Sequence, residues 1–135
     1  KVVMQEGAGL ALFLARAQAT VDRAREQPEL ATMAQALSAT AASLGDATAA
    51  AWSTGVPEEA LANATPYLQA FGHVVIAWIW LDLALAAGPC ASPRREGELA
   101  TCRYFFAYEL PLVDAWLRVV RTREPVCRSM QDDWF

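Results

Sequence analysis

The chain has 135 residues, of which 55% are hydrophobic and 19% are charged, and its net charge is −4 at pH 7. This length suits one domain with a sizeable core, and the composition excludes a disordered chain. The acidic balance and the lack of a basic stripe argue against nucleic acid as a partner. The chain begins with Lys1 and shows no charged leader before a short apolar core. We therefore expect no signal or transit peptide, and either a piece of a longer protein or a trimmed one.

Three cysteines, Cys90, Cys102 and Cys127, are spread over the second half of the chain. An odd number without a close pair argues against a disulfide framework. Cys102 falls on an apolar helical face, which predicts a small core residue. Reduced thiols are typical of the cytoplasm, and we expect the protein there.

The first predicted helix covers about residues 2–27, and it begins near Ala8 if Gly7 and Gly9 weaken its first turns. Pro28 breaks the pattern and predicts the start of a second helix that ends near Trp52. In both helices, apolar or small residues recur at spacings of three and four, which predicts a heptad seam. The first seam is Val3, Gly7, Leu10, Leu14, Ala17, Val21 and Ala24; the second is Leu30, Ala34, Leu37, Ala41, Leu44, Thr48 and Ala51.

A short helical segment from Gly55 to Asn63 leads into the most apolar stretch, Thr65–Gly88. Thr65 is a suitable N-cap, and Gly88-Pro89 predicts the end of this helix. Its length would allow it to cross a membrane, but Asp82 and His73 lie inside it. We therefore expect other parts of the protein to surround this helix, and we expect no membrane span.

The central helix has three apolar stripes. The first two predict neighbours on both sides, and Gly72 predicts a close helix crossing within the second. The third is the stripe that we expect to meet solvent or another domain. The stripes are Tyr67, Phe71, Val74, Trp78, Leu81 and Leu85; Leu68, Gly72, Val75, Ile79 and Leu83; and Gln69, His73, Ile76 and Trp80.

After a polar loop through Ser92–Gly97, the last predicted helix runs from about Glu98 to Arg123. Pro111 lies inside it and predicts a kink near residues 107–111. The four helices and short loops predict an all-α fold, an up-down-up-down four-helix bundle over residues 1–123 with a kinked last helix. Residues 124–135 form a tail that we expect to dock on the bundle or a partner through Trp134 and Phe135.

No catalytic constellation emerges from the residue types. His73 is the only histidine, and a metal site needs more ligands than the sequence offers at suitable spacing. Asp82 and Glu109 lie on apolar faces. They are either a buried acid/base pair with raised pKa values, or paired charges, for example with Arg16 or Arg103, or carboxylates at a helix edge near solvent. Gly7-Ala8-Gly9 follows no strand, so it does not predict a dinucleotide loop.

A resemblance to a known family rests on packing motifs in the last two long helices. Thr65-Pro66-Tyr67-Leu68, Phe71-Gly72 and Trp78 resemble the central helix of the extra C-terminal domain of long bacterial acyl-CoA dehydrogenases. These include methylmercaptopropionyl-CoA dehydrogenase-like proteins. Arg103-Tyr104-Phe105-Phe106 and Glu109-Leu110-Pro111 are similar to that domain's last helix. One departure is Ile76-Ala77, where the family often has Gly-Gly.

The resemblance implies a parent oxidoreductase with FAD and a catalytic glutamate in an upstream dehydrogenase core. Nothing in residues 1–135 resembles that core, so no catalytic, cofactor-binding or metal-binding residue is carried over. The resemblance implies a non-catalytic domain that packs on the core and shapes subunit contacts. A stand-alone helical interaction or regulatory module is the alternative, and a small-ligand-binding bundle is a third hypothesis.

The expected contact surface combines the third stripe of the central helix with the aromatic tail. Its candidate residues are Gln69, His73, Trp80, Trp134 and Phe135. Exposed apolar surface usually marks a contact site, and twofold dimers are the commonest homo-oligomers. We therefore predict a homo-oligomer, a dimer in its simplest form.

Overall fold

The structure, a computed structural model, describes residues 7–88 and 92–134. The secondary structure within these ranges is helical, without a strand, which confirms the all-α prediction. The long helices are α1 (Ala8–Arg25), α2 (Ala31–Ala51), α4 (Ala64–Ala86), α5 (Pro93–Tyr104) and α6 (Leu112–Arg121). The short elements are α3 (Pro57–Leu61), a π-helical segment (Phe105–Glu109), α7 (Val126–Ser129) and a 3₁₀ turn (Asp132–Trp134).

The core lies between the long helices. α1 packs on α2 and α4, α6 packs on the same two helices, and α5 packs on α4. The heptad seams of α1 and α2 are confirmed, because their central residues are buried; Val3 lies outside the described residues. The buried seam residues are Ala17, Val21, Ala24, Leu30, Ala34, Leu37, Ala41, Leu44, Thr48 and Ala51.

Two of the predicted helix starts are wrong. α4 begins at Ala64 and not after Thr65, because the residue before it, Asn63, is buried and its side-chain amide donates to the carbonyl of Glu124 over 3.0 Å. α5 begins at Pro93, inside the predicted polar loop. The Ser92 hydroxyl caps this helix by accepting from the backbone N–H of Arg95 over 3.2 Å, and proline suits the first helical position.

The last long helix is interrupted where Pro111 predicts an irregularity. Proline has no backbone N–H, so the regular hydrogen-bond ladder cannot pass through it. The N–H of Leu110 instead bonds to the carbonyl of Phe105, five residues back, over 2.9 Å. The interruption therefore takes the form of a widened π turn between α5 and α6.

The tail is anchored by polar contacts and has no buried residue in its described part. α7 and the 3₁₀ turn are exposed, and Trp134 exposes 61% of its surface. Phe135 lies outside the described residues. Docking of Trp134 and Phe135 on a partner stays a prediction.

Candidate interaction surfaces

His73 lies between α4 and the last helical segments. Its Nδ1 lies 3.0 Å from the carbonyl of Gln69, and its Nε2 lies 3.8 Å from Glu109 Oε2. The ring stands edge-on to Trp116 at 4.7 Å and tilted to Phe105 at 5.8 Å. Nδ1 thus faces a backbone acceptor, and Nε2 faces the carboxylate. His73 contacts neighbouring segments of its own chain, and its role in an interface stays a prediction.

Asp82 and Glu109 do not form a pair with each other. Asp82 faces α1, where its carboxylate lies 3.6 Å from Arg23 and accepts from the Thr20 hydroxyl over 3.4 Å. Glu109 faces His73. Both carboxylates are partly exposed, at 49% and 37% of the side chain. The buried acid/base hypothesis is therefore wrong, and the charges pair with groups other than the Arg16 and Arg103 considered from the sequence.

The remaining predicted interface residues differ in their exposure to solvent. Gln69 is exposed on α4, whereas Trp80 is half-buried and packs against the core cluster. Trp134 is exposed at the far end of the chain. The structure therefore brings His73 and Trp80 onto the inward-facing flank of α4 and leaves Gln69 and Trp134 open to solvent.

The second predicted seam of α4 is the face that the fold leaves open. Leu68 is 66% exposed, Ile79 45% and Leu83 47%. A Cβ added at Gly72 would meet nothing within 4 Å, so no close helix crossing exists there in the described chain. The prediction of neighbours on both sides is wrong for this face. We call Leu68, Gly72, Ile76, Ile79 and Leu83 the outer α4 stripe.

The apolar character of α4 also bears on the membrane question. The helix is long and apolar enough to cross a membrane, and 33% of its most apolar window is buried in the fold. This is weak evidence for a span, because core helices of soluble proteins have the same length and composition. α1 on one flank and α5 and α6 on the other supply part of the protein cover.

A polar cluster around Glu59 joins α3 to the C-terminal segment. The Thr54 hydroxyl donates to Glu59 over 2.9 Å, and Arg128 and Arg123 lie 3.1 and 3.5 Å from its carboxylate. The Thr54 hydrogen bond, followed by that of Arg128, holds the pKa of Glu59 below its usual value. This cluster was missed from the sequence, because its members come from distant stretches without a shared period.

Arg95 is a second polar anchor that sequence reasoning missed. Its guanidinium is buried, and it donates to Glu29 before α2 and to the carbonyl of Gly88 after α4. A buried arginine needs such partners, because an unpaired buried charge is costly. The sequence predicts a polar loop through Ser92–Gly97, and the capping residue Ser92 before Pro93 is the signal that could have indicated a helix start there.

Two open grooves of about 380 Å³ each lie side by side between α2 and the last helical segments. They share Ala36 and Phe106, and their lining is mostly small or apolar. No glycine-rich turn at a helix N-terminus lines them, and Arg103 is the basic residue that they contain. They do not fit a dinucleotide such as FAD, whose phosphates need several donors. Within residues 7–88 and 92–134, no group of three His, Cys, Asp or Glu side chains could hold a metal ion.

Comparison with known families places these surfaces in context. The family described as "acetyl-CoA dehydrogenase C-terminal like" matches residues 13–131, nearly the whole chain. The chain belongs to this family. The resemblance seen in the two last long helices is thus confirmed at the level of the domain, while the methylmercaptopropionyl-CoA subtype stays a prediction. No curated protein and no solved structure gave a significant match.

Proposed function

We propose that this acetyl-CoA dehydrogenase C-terminal-like domain is a non-catalytic part of a FAD-dependent acyl-CoA dehydrogenase-like oxidoreductase. The family match over residues 13–131 is the observation that carries the proposal. Such a parent oxidises an acyl-CoA thioester at its α and β carbons, with FAD as the electron acceptor. FAD belongs to the upstream core in this proposal, and the parent works in the cytoplasm.

The role of this domain is to pack on the dehydrogenase core of the same chain and to shape subunit contacts. The support is physical: the domain has a buried core of its own, and it still exposes apolar side chains on two separate surfaces, along α4 and around Tyr108 and Leu112, so it has room for both contacts. Contiguous exposed apolar surface usually marks an interaction site. The grooves beside α2 offer a further surface of small side chains.

We also infer that the long helices form an up-down-up-down bundle, with α5, the π segment and α6 as its fourth member. Cross-helix contacts support this. Thr48 bonds to Tyr67 near the start of α4, and Asn63 reaches Glu124 at the end of the last helix. Phe13 and Thr20 of α1 contact Phe71 and Trp78 of α4 in the same order, which fits two helices that run in parallel.

The proposed function is tested with the longer protein encoded around this chain. We expect its purified form to carry a yellow flavin that is bleached when an acyl-CoA is added, and residues 1–135 alone to do neither. A longer protein without flavin, or a gene without an upstream dehydrogenase core, would contradict the proposal and favour the stand-alone interaction module. Flavin bound by residues 1–135 in stoichiometric amount would contradict the non-catalytic role.

A further inference from the structure

We propose that the outer α4 stripe pairs with the same stripe of a second copy of this chain, with the two α4 helices antiparallel. This inference rests on the proposed function, since it names the subunit contact that the domain would shape. It differs from the contact surface expected from the sequence, whose candidate residues are Gln69, His73, Trp80, Trp134 and Phe135.

The stripe is an uncharged face on an acidic chain. From Ala64 to Leu81, α4 contains no Asp, Glu, Lys or Arg, and its one histidine faces Glu109 and Trp116. The chain as a whole carries a net charge of −4. Because like charges oppose contact between copies, two copies meet with least repulsion along this face.

The spacing of the stripe is that of a helix-pairing seam. Its residues follow one another at intervals of four, four, three and four positions. This is the pattern by which one helix keeps a single face toward another. From Leu68 to Leu83 the stripe is about 22 Å long, at about 1.5 Å per residue.

The stripe is complementary to itself when it is reversed about the point midway between Val75 and Ile76. Gly72 and Ile79 are equally far from this point on its two sides, and so are Leu68 and Leu83. Reversal therefore brings Gly72 opposite Ile79 of the second copy, and Leu68 opposite Leu83 of the second copy. The space beside Gly72 is open to at least 4 Å, so a branched side chain can enter it. Antiparallel helix dipoles add a favourable term.

The area limits the strength of the pair. Two helices of about 10 Å diameter in contact over about 22 Å bury roughly 1,000 Å² in total. This is below the roughly 1,200 Å² of stable specific interfaces and in the range of weak, transient contacts. The expected pair is a weak dimer, with a dissociation constant on the order of micromolar. We therefore expect a concentration-dependent equilibrium between monomer and dimer.

Sedimentation velocity of residues 1–135 over a range of concentrations tests the association. We expect a dimer with a micromolar dissociation constant, and Ile79→Glu should raise this constant at least about 100-fold, since it places two charges in an apolar contact. Leu61→Glu is the matched control, because Leu61 of α3 is 58% exposed and lies outside the stripe. It should leave the dimer unchanged, and circular dichroism should show that both variants are folded. A wild-type monomer at all concentrations, or a dimer that resists Ile79→Glu, would overturn the proposal.

Disulfide cross-linking tests the antiparallel orientation. In a background with Cys90→Ser and Cys127→Ser, Ile76→Cys should form a covalent dimer, because its two copies lie beside the twofold axis. Leu83→Cys alone should not, whereas a mixture of Leu68→Cys and Leu83→Cys should. Equal cross-linking of Leu83→Cys with itself would indicate parallel helices and overturn the arrangement. Flavin reduction in the longer protein does not depend on these results, so failure of the dimer and failure of the proposed function are separable.

Discussion

On the inner face of α4, Val74 and Leu81 are completely buried, whereas on its outer face Leu68 and Leu83 expose 66% and 47% of their surface. Both faces are equally apolar in the sequence. The difference lies in what the other helices bring: Thr48 of α2 bonds to Tyr67 over 2.8 Å, and Thr20 of α1 accepts from the indole N–H of Trp78 over 2.8 Å. An apolar seam thus predicts that a helix face favours burial. Whether the face is buried depends on residues in other helices.

The sharpest test of this contrast compares two leucines that lie two residues apart. Leu81→Ala should lower the free energy of unfolding by about 3 kcal/mol, because it leaves a cavity in the core. Leu83→Ala removes an exposed side chain and should cost less than about 1 kcal/mol. Urea unfolding of both variants below the dimer concentration measures the difference. Similar losses would show that the two faces are equally covered.

Thiol reactivity should also distinguish the buried core from the exposed outer face of α4. Burial raises the pKa of the Cys102 thiol to about 11. Because the thiolate is the reactive form, Cys102 should react with a disulfide reagent at least about 100-fold more slowly than exposed Cys127. A Cys90→Ser chain with Ile79→Cys added supplies an outer-face thiol, which should react as fast as Cys127 at protein concentrations below the dimer dissociation constant. Rapid modification of Cys102 in the native protein would contradict the buried inner face.

A smaller effect is expected at the hydrogen bond that joins the inner side of α4 to α1. Trp78→Phe removes the indole donor to Thr20 and keeps an aromatic ring, so it should cost about 1 kcal/mol of stability. Thr20→Val is the companion change. In the double mutant the two losses should overlap rather than add. Strict additivity in urea unfolding would show that the hydrogen bond does not contribute.

The smallest effect concerns the half-buried polar cluster that joins α3, just before α4, to the C-terminal segment. The pKa of Glu59 is lowered by its Thr54 and Arg128 contacts, so its contribution to stability is complete above the ordinary pKa of a glutamate. It is lost as the pH falls through the lowered pKa. Glu59→Gln should therefore reduce the midpoint of thermal unfolding at neutral pH and have little effect in strong acid. Glu58→Gln, on the exposed neighbour, is the control and should change neither.

The seams of α1, α2 and the inner face of α4 could be predicted from the sequence, because a buried helix face needs apolar residues every three or four positions. This spacing is visible within one helix. Helix starts at Asn63 and Ser92 were placed less well, because Asn63 serves a contact with Glu124, 61 residues away. The wrong expectation at Gly72 and the unpredicted contacts of His73 have a common cause. Whether a helical face meets solvent depends on the position of other helices, and the π segment turns Phe105 and Glu109 toward His73.

The contact surface could be predicted only in part for the same reason, since its exposure depends on the position of other helices. Family membership was predictable, since packing motifs occur in order along one chain. The contact surface was not, because Trp80 and Ile79 are equally apolar neighbours and only the fold distinguishes the half-buried one from the exposed one. Arg95 and Glu29 are 66 residues apart, so no local sequence pattern predicts their ion pair.

The π turn ahead of Pro111 has a consequence for chain length. A π turn contains one residue more than the α turn that it replaces, so Phe105–Glu109 amounts to a one-residue insertion in an otherwise regular helix. The π turn absorbs this extra residue locally, and Leu99 and Cys102 before it, like Val113 and Leu117 after it, are buried in the core. Homologues with a straight last helix should therefore be one residue shorter between Tyr104 and Leu112. Deleting a single residue there should convert the π turn into an α turn and leave both halves of the helix on the core.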